Sequence, residues 1–171
     1  GWPAESGVID HALSRRFDDY GRRVAPEVRT DGLSAVTEYR RLATAELPVA
    51  IDRYPTSRYA LVSLTPGTGR QHQLRRHMKH IAHPIIGDAT WGKGIHNRFF
   101  LQRFSCGRLL LACTSIEFRH PQDGRVLAIE APPEDSFAKV ASALGWDGIR
   151  DRARPHPEVG AGDTALTAAC A

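Results

Sequence analysis

Apolar residues recur along this chain with two different periods. Residues 34–47 ("SAVTEYRRLATAEL") alternate polar and apolar positions and carry Val36, Thr37 and Tyr39, which predicts a strand. Residues 58–66 ("RYALVSLTP") predict a second, with Ala60, Val62 and Leu64 on one face, and Pro66–Gly67 turn the chain. The period then changes. Leu74, Met78, Ile81 and Ala82 fall at i, i+4, i+7 and i+8, the single apolar face of a helix. Thr68 is its expected N-cap and Pro84 its expected stop. "HPIIGDATWGKG" (83–94) reads as a turn-rich loop around a short apolar insert. Strands near 109–119 and 125–131, joined through "HPQDG", predict a hairpin. Glu134 and Asp135 open an amphipathic helix with Phe137, Val140, Ala141 and Leu144 inward. Residues 7–32 read as loop-rich. Past Trp146 the pattern fades into Ala, Gly and Pro, so residues 151–171 are expected to form a disordered tail.

The 171 residues suit one domain, and 42% hydrophobic with 25% charged residues is a globular composition. No run of about 18 apolar residues is present. The opening "GWPAESG" has neither the basic start nor the apolar middle of a signal peptide. Cys106, Cys113 and Cys170 are odd in number and never spaced as CxxC, which argues against a disulfide framework and fits a reducing compartment.

Charge changes the picture more. The net charge is +4, and Arg70, Arg75, Arg76 and Lys79 supply that much within 69–83 ("GRQHQLRRHMKHIAH"), where no acid occurs. The first acid afterwards is Asp88. On a helical projection Arg75 falls beside Ala82 at the edge of the apolar face, while Lys79, His72 and Arg76 continue as a basic stripe. A guanidinium half buried in this way needs a partner. A local basic patch on a neutral body points to phosphate or nucleic acid, the plainer alternative being a solvated helix face. His77, His80 and His83 have spacings compatible with a metal site, but the interleaved cations oppose a dication and no Cys or carboxylate completes the set. Ser63, Ser105 and Ser115 lack a nucleophile motif, and Cys113 reads as a structural thiol. "PGTGR" suggests anion binding at a helix start, without the spacing of a P-loop.

"TGRQHQLRRHMKHIAHPIIGD" closely resembles the arginine motif of the RluA-type pseudouridine synthases, GR-x-HQ-[IL]-R-x-H followed by HP-[IV]-x-GD. The terminal "GW", "RYPTSRYALVSLTP" and "HNRF" resemble the subfamily that modifies tRNA, and "RLLLAC" (108–113) resembles the family's late strand. The resemblance runs from Gly1 to about Arg150. It implies an α+β fold around a mixed, mostly antiparallel sheet with flanking helices and an RNA cleft on one face. It implies isomerisation of uridine to pseudouridine with no metal or organic cofactor, on RNA and in particular tRNA. In the family an aspartate in an H-R-L-D motif performs the chemistry, and the second arginine of the arginine motif pairs with it. That arginine is Arg75 here, and the leucine lining the uracil pocket is Leu111. Arg70, His72, Gln73, Arg76, His77 and Lys79 are then the expected substrate-binding residues.

Departures accompany the likeness. These 171 residues contain neither H-R-L-D nor the lysine-x-tyrosine motif whose tyrosine stacks on the uracil, and Ala112 stands where the late strand usually has histidine. Both missing motifs lie upstream in the family, and the chain begins at Gly1 with Met78 as its single methionine. Residues 1–150 are therefore expected to be the C-terminal part of a catalytic domain, with an unpaired edge or an uncovered apolar face. The expected molecule is a cytoplasmic monomer. Asp88 is expected to hydrogen-bond its own loop rather than replace the catalytic aspartate. Arg75, with no acid expected to reach it, should turn to solvent, a carbonyl or an anion. The alternatives are a catalytically inactive RNA-binding remnant and a His-based metal-binding domain.

Overall fold

The computed structural model describes residues 1–14, 32–146 and 164–170. Its main sheet has six strands: β1 (Ser6–Asp10), β4 (Val36–Leu47), β5 (Ser57–Pro66), β6 (Leu111–Arg119), β7 (Val126–Glu130) and β8 (Thr164–Cys170), with α1 (Gln73–His80), α2 (Gly94–Phe104) and α3 (Asp135–Ala143) around them. The order across the sheet is β1-β4-β5-β8-β6-β7. A two-stranded ribbon joins β2 (Leu13–Ser14) to β3 (Gly32–Leu33). The α+β class is the one expected. Every strand pair among the described residues is antiparallel, so the parallel component implied by a mixed sheet does not occur there.

The strand β5 explains the architecture. Residues 59–64 are all buried, so its two faces serve two cores. Ala60, Val62 and Leu64 pack with Leu74 and Met78 of α1 and with Ile85. Tyr59 and Leu61 face the other way, toward Phe100 of α2 and Phe137, Val140 and Ala141 of α3. Helices thus cover both sides of the central strand, and each fully buried Leu or Phe contributes about 1.5–3 kcal/mol of apolar transfer.

Three expectations change. The helix α2 lies in a stretch for which the pattern predicts no element, although His96, Phe100 and Phe104 recur every four residues; Tyr59, Phe99, Phe100 and Phe104 form an aromatic cluster there. The loop-rich stretch 7–32 contains β1, β2 and the start of β3, with residues 15–31 outside the described region. The tail is corrected where it is described. Thr164–Cys170 form β8 between β5 and β6, with Cys170 opposite Ala60 and Leu111 opposite Ala168. The segment reads as tail composition, yet its backbone pairs with β5 on one side and β6 on the other, and Ala168 is fully buried there. The Cys170 thiol is pushed up to about 12 by this burial.

Both edges are visible. Val8 on β1 is exposed, and on the far side Ile116 stands opposite Ile129 with both exposed.

Candidate RNA-binding face and arginine site

The arginine-rich stretch is held by a chain of buried hydrogen bonds that begins in the preceding turn. Val36 N–H donates to Thr68 Oγ1 (3.0 Å), and Thr68 donates to Gln73 Oε1 (2.8 Å), which also accepts from Arg70 N–H (2.9 Å). Gln73 Nε2 donates to Val36 O (2.8 Å) and Thr37 Oγ1 (3.0 Å). Thr37 Oγ1 lies 2.9 Å from His77 Nδ1, and His77 Nε2 lies 3.0 Å from the carbonyl of His11. A carbonyl only accepts, so His77 carries its proton on Nε2 and takes the Thr37 hydroxyl proton at Nδ1. Burial, the largest cause, lowers the His77 pKa, and the neighbouring His11, His80 and Arg76 add to it against the His11 carbonyl.

This network corrects two expectations. Gln73 and His77 were assigned to substrate, but both are buried and every side-chain nitrogen and oxygen they carry is bonded within the chain. They clamp α1 to β4 and to the β1–β2 turn. Thr68 belongs to the same clamp and is not the N-cap. His72 holds that position in a left-handed conformation (φ 53°). At the other end, Pro84 does not stop the helix. His83 N–H reaches Met78 O and Ala82 N–H reaches Lys79 O, a Schellman cap with Ala82 left-handed (φ 64°).

Arg75 is half buried, as projected, but it does have an acid. Its Nε and Nη2 donate to Asp88 Oδ2 (2.7 Å) and Oδ1 (2.9 Å), and its guanidinium lies 4.5 Å from the centroid of the Trp91 ring. The expectation that no carboxylate within the chain reaches it is thereby corrected. The loop 83–94 folds back over α1, and residues 13 apart meet side by side. Asp88 also takes its expected loop role, accepting from the N–H groups of Thr90 and Trp91 (both 2.8 Å). Burial pushes its carboxyl up. The hydrogen bond from Arg75, those from Trp91 and Thr90, and the Arg75 charge outweigh that and hold it at about 2. The same hydrogen bond raises Arg75.

The loop is itself fixed from behind. Asn97 of α2 accepts from Gly87 N–H (2.8 Å) and donates to Asp88 O (2.9 Å). Gly87 is left-handed (φ 79°), and a Cβ there would fall 1.8 Å from Arg108 O, so glycine is required for the approach as well as for the turn. Asn97 is a positioning residue that the sequence reading missed; its one signal was its place in "HNRF".

The other expected residues are spread around this centre. Lys79 is exposed on α1. Arg70 is exposed and its Nε donates to Ser34 O (3.0 Å). Arg76 reaches Ser14 O (3.1 Å) and Oγ (3.2 Å), holding the β2–β3 ribbon. His72 packs edge-on to Trp91. Leu111 is half buried and packs in the same core as Leu74 and Met78. Among the described residues no cluster of three or more His, Cys, Asp or Glu could hold a metal, and His11 stacks on His80 at 3.7 Å between ring centroids.

An antiparallel sheet with helices on both faces, carrying an ion-paired arginine among surface cations, defines a class to which known proteins can be compared. The family described as RNA pseudouridylate synthase matches residues 3–80 of this chain. The chain is 46% identical over 149 residues to tRNA pseudouridine synthase C of Pectobacterium carotovorum subsp. carotovorum, covering 87% of this chain and 39% of that protein. The enzyme of the same name from Vibrio cholerae is 42% identical over 146 residues, covering 85% and 59%. The chain thus spans roughly two-fifths to three-fifths of the length of these curated relatives. The solved structure of human RNA pseudouridylate synthase domain containing 1 shares the fold, with a TM-score of 0.52 and 21% identity over 92% of this chain and 64% of that one.

Proposed function

We propose that this chain is the part of an RNA pseudouridine synthase that holds the arginine and the RNA-facing cations, acting on uridine in tRNA. One observation carries the reading: a two-sided arginine. Asp88 takes Nε and Nη2 of Arg75, while among the described residues no acceptor bonds Nη1. The outer edge of the guanidinium is therefore available for a second carboxylate or a phosphate, and Trp91 and Asp88 keep it from swinging away. In the reaction the C1′–N1 bond of uridine breaks, the uracil turns, and a C1′–C5 bond forms; the C5 proton leaves and N1 gains one. A fixed cation that orients the reacting carboxylate has its charge already in place, at no further reorganisation cost.

Arg70, Arg76 and Lys79 then meet phosphates, with Arg70 and Arg76 also holding the turns that carry them. Leu111 lies against uracil on the core side of the cleft. The partner is RNA, and the setting is the cytoplasm, where tRNA is modified. Without an H-R-L-D aspartate in its 171 residues, the chain by itself makes no pseudouridine, because positioning does not replace the group that does the bond chemistry. Tritium release from uridine-labelled tRNA tests this, and release at a rate comparable to a full-length relative overturns it. Three phosphate contacts predict a log–log salt slope of about −2 for single-stranded RNA. Binding indifferent to salt removes the cations from the interface.

A further inference from the structure

The described residues hold a cavity of about 640 Å³ that shares no residue with the Arg75–Asp88 pair. Three stretches far apart in sequence line it: Gly1–Trp2, the turn 52–58 between β4 and β5, and Lys93 with His96 at the start of α2, closed by residues 82–83 after α1. Its volume is within the roughly 300–1,000 Å³ of small-molecule sites, enough for one nucleotide.

The lining is selective. Arg53, Arg58 and Lys93 supply three cations and Asp52 the one carboxylate, with Glu46 behind Arg58 at 3.2 Å. Two aromatic rings accompany them, each already paired with a guanidinium: Arg58 lies 5.1 Å from the centroid of the Trp2 ring, and Arg53 lies 4.9 Å from that of Tyr54. Flat rings beside guanidinium groups form the surface on which a base stacks while its phosphate meets a cation. The rim is exposed and the base of the cavity is anchored. Trp2 is anchored by Nε1 to Tyr59 O (3.1 Å), and buried His96 is locked through Nδ1 to the Tyr59 hydroxyl (3.0 Å). Burial keeps both members of that pair neutral, raising Tyr59 and lowering His96, so the inner wall offers polarity without charge. An acidic peptide would use the cations and leave the rings idle; an apolar ligand would strand the cations.

We propose that this cavity binds a phosphorylated nucleoside, one nucleotide of an RNA strand whose reacting uridine lies at the arginine site. The proposal rests on the RNA reading above for the source of the nucleotide, not for the chemistry of the cavity. A labelled single-stranded hexauridylate and free uridine 5′-monophosphate are the probes, applied to the whole chain. Tyr54→Ala and the pair Arg53→Ala/Lys93→Ala alter exposed side chains, so circular dichroism should match wild type. Each should weaken hexamer binding about tenfold, in line with losing one stacked base or its phosphate contact. Both probes should quench tryptophan emission, and Trp2→Phe, which keeps a ring, should abolish that part of the signal. Quenching by the monophosphate with hexamer affinity unchanged in the cavity variants assigns the site to a free nucleotide and overturns the RNA source. Hexamer binding that falls with Lys79→Ala, ignores the cavity variants and leaves Trp2 unquenched overturns the cavity proposal while the RNA reading stands. Absence of hexamer binding alongside Trp2-dependent quenching by the monophosphate sinks the RNA reading and leaves the cavity a nucleotide site.

Discussion

Asp88 concentrates the electrostatics of this protein in one residue. Its carboxylate accepts from Arg75 twice and from two backbone N–H groups, all in a buried loop. Its pKa is depressed from the ordinary 3.8 to about 2. A depressed carboxylate stabilises the fold fully above the unfolded value and ceases to as pH falls through the folded one. The window is therefore about pH 4 to 2, and the amount about 2 kcal/mol. His77, a base lowered by burial, acts at a higher window: its contribution is present above roughly pH 6.5 and declines as pH falls through its lowered folded value. Urea unfolding between pH 7 and pH 2 should show both declines, and Asp88→Asn should remove the lower one. Arg75→Ala should cost about 3 kcal/mol, because it leaves a buried carboxylate without its cation. Arg75→Lys should recover little of it, since an ammonium cannot make the paired contact. A neutral Arg75→Ala in urea would mean that the two backbone donors suffice.

At the scale of the element, α1 is held at both ends by features its apolar period does not announce. Its C-terminal cap puts Ala82 at φ 64°, where a Cβ is strained, whereas the equivalent cap of α3 uses Gly145 at φ 72°. Ala82→Gly should therefore stabilise the chain by about 1 kcal/mol in urea, against the usual direction of Gly substitutions. Its N-terminal clamp behaves oppositely. Gln73→Ala takes the acceptor from Arg70 N–H and from the Thr68 hydroxyl proton, at about 1–3 kcal/mol per group left unmet, while Val36 O keeps Gly67 N–H and Thr37 keeps His77. Solvent relieves some of these, so a loss of about 3 kcal/mol is expected, with hydrogen exchange accelerated first at β4 and α1. A loss confined to α1 would show that the clamp holds the helix alone.

At the scale of the molecule, β8 decides whether the sheet is one object. It is the neighbour of β5 on one side and β6 on the other. Taking it away leaves β1-β4-β5 and β6-β7 as separate ladders, each with a new open edge beside the cores that contain Ala168 and Cys170. A chain ending at Trp146 should lose cooperative urea unfolding, bind a hydrophobic dye and associate on gel filtration. If it unfolds at the same midpoint with the same slope, β8 contributes nothing to the sheet. Ile116 pairs with Thr164 of β8 on one side and with Ile129 of β7 on the other, and both isoleucines are exposed.

The sequence alone determined the features whose physics is local. Strands β4, β5, β6 and β7 and helices α1 and α3 follow from alternation or a period near 3.6, and the half-buried position of Arg75 follows from its place beside Ala82 at the edge of the apolar face. The family resemblance followed from the length of one motif. Tertiary structure decided every pairing over distance. Arg75 meets Asp88 because a loop closed on Gly87 and Asn97 returns over the helix, and nothing in the spacing of 13 residues encodes that return. Gln73 and His77 look like ligands for RNA in a basic motif, and only the position of Thr37 and His11 turns them inward. Segment 164–170 has the composition of a tail, and it becomes a central strand because two backbones leave a slot one strand wide. A hydrogen-bonded slot is a property of its two neighbours, and it is not written in the residues that fill it.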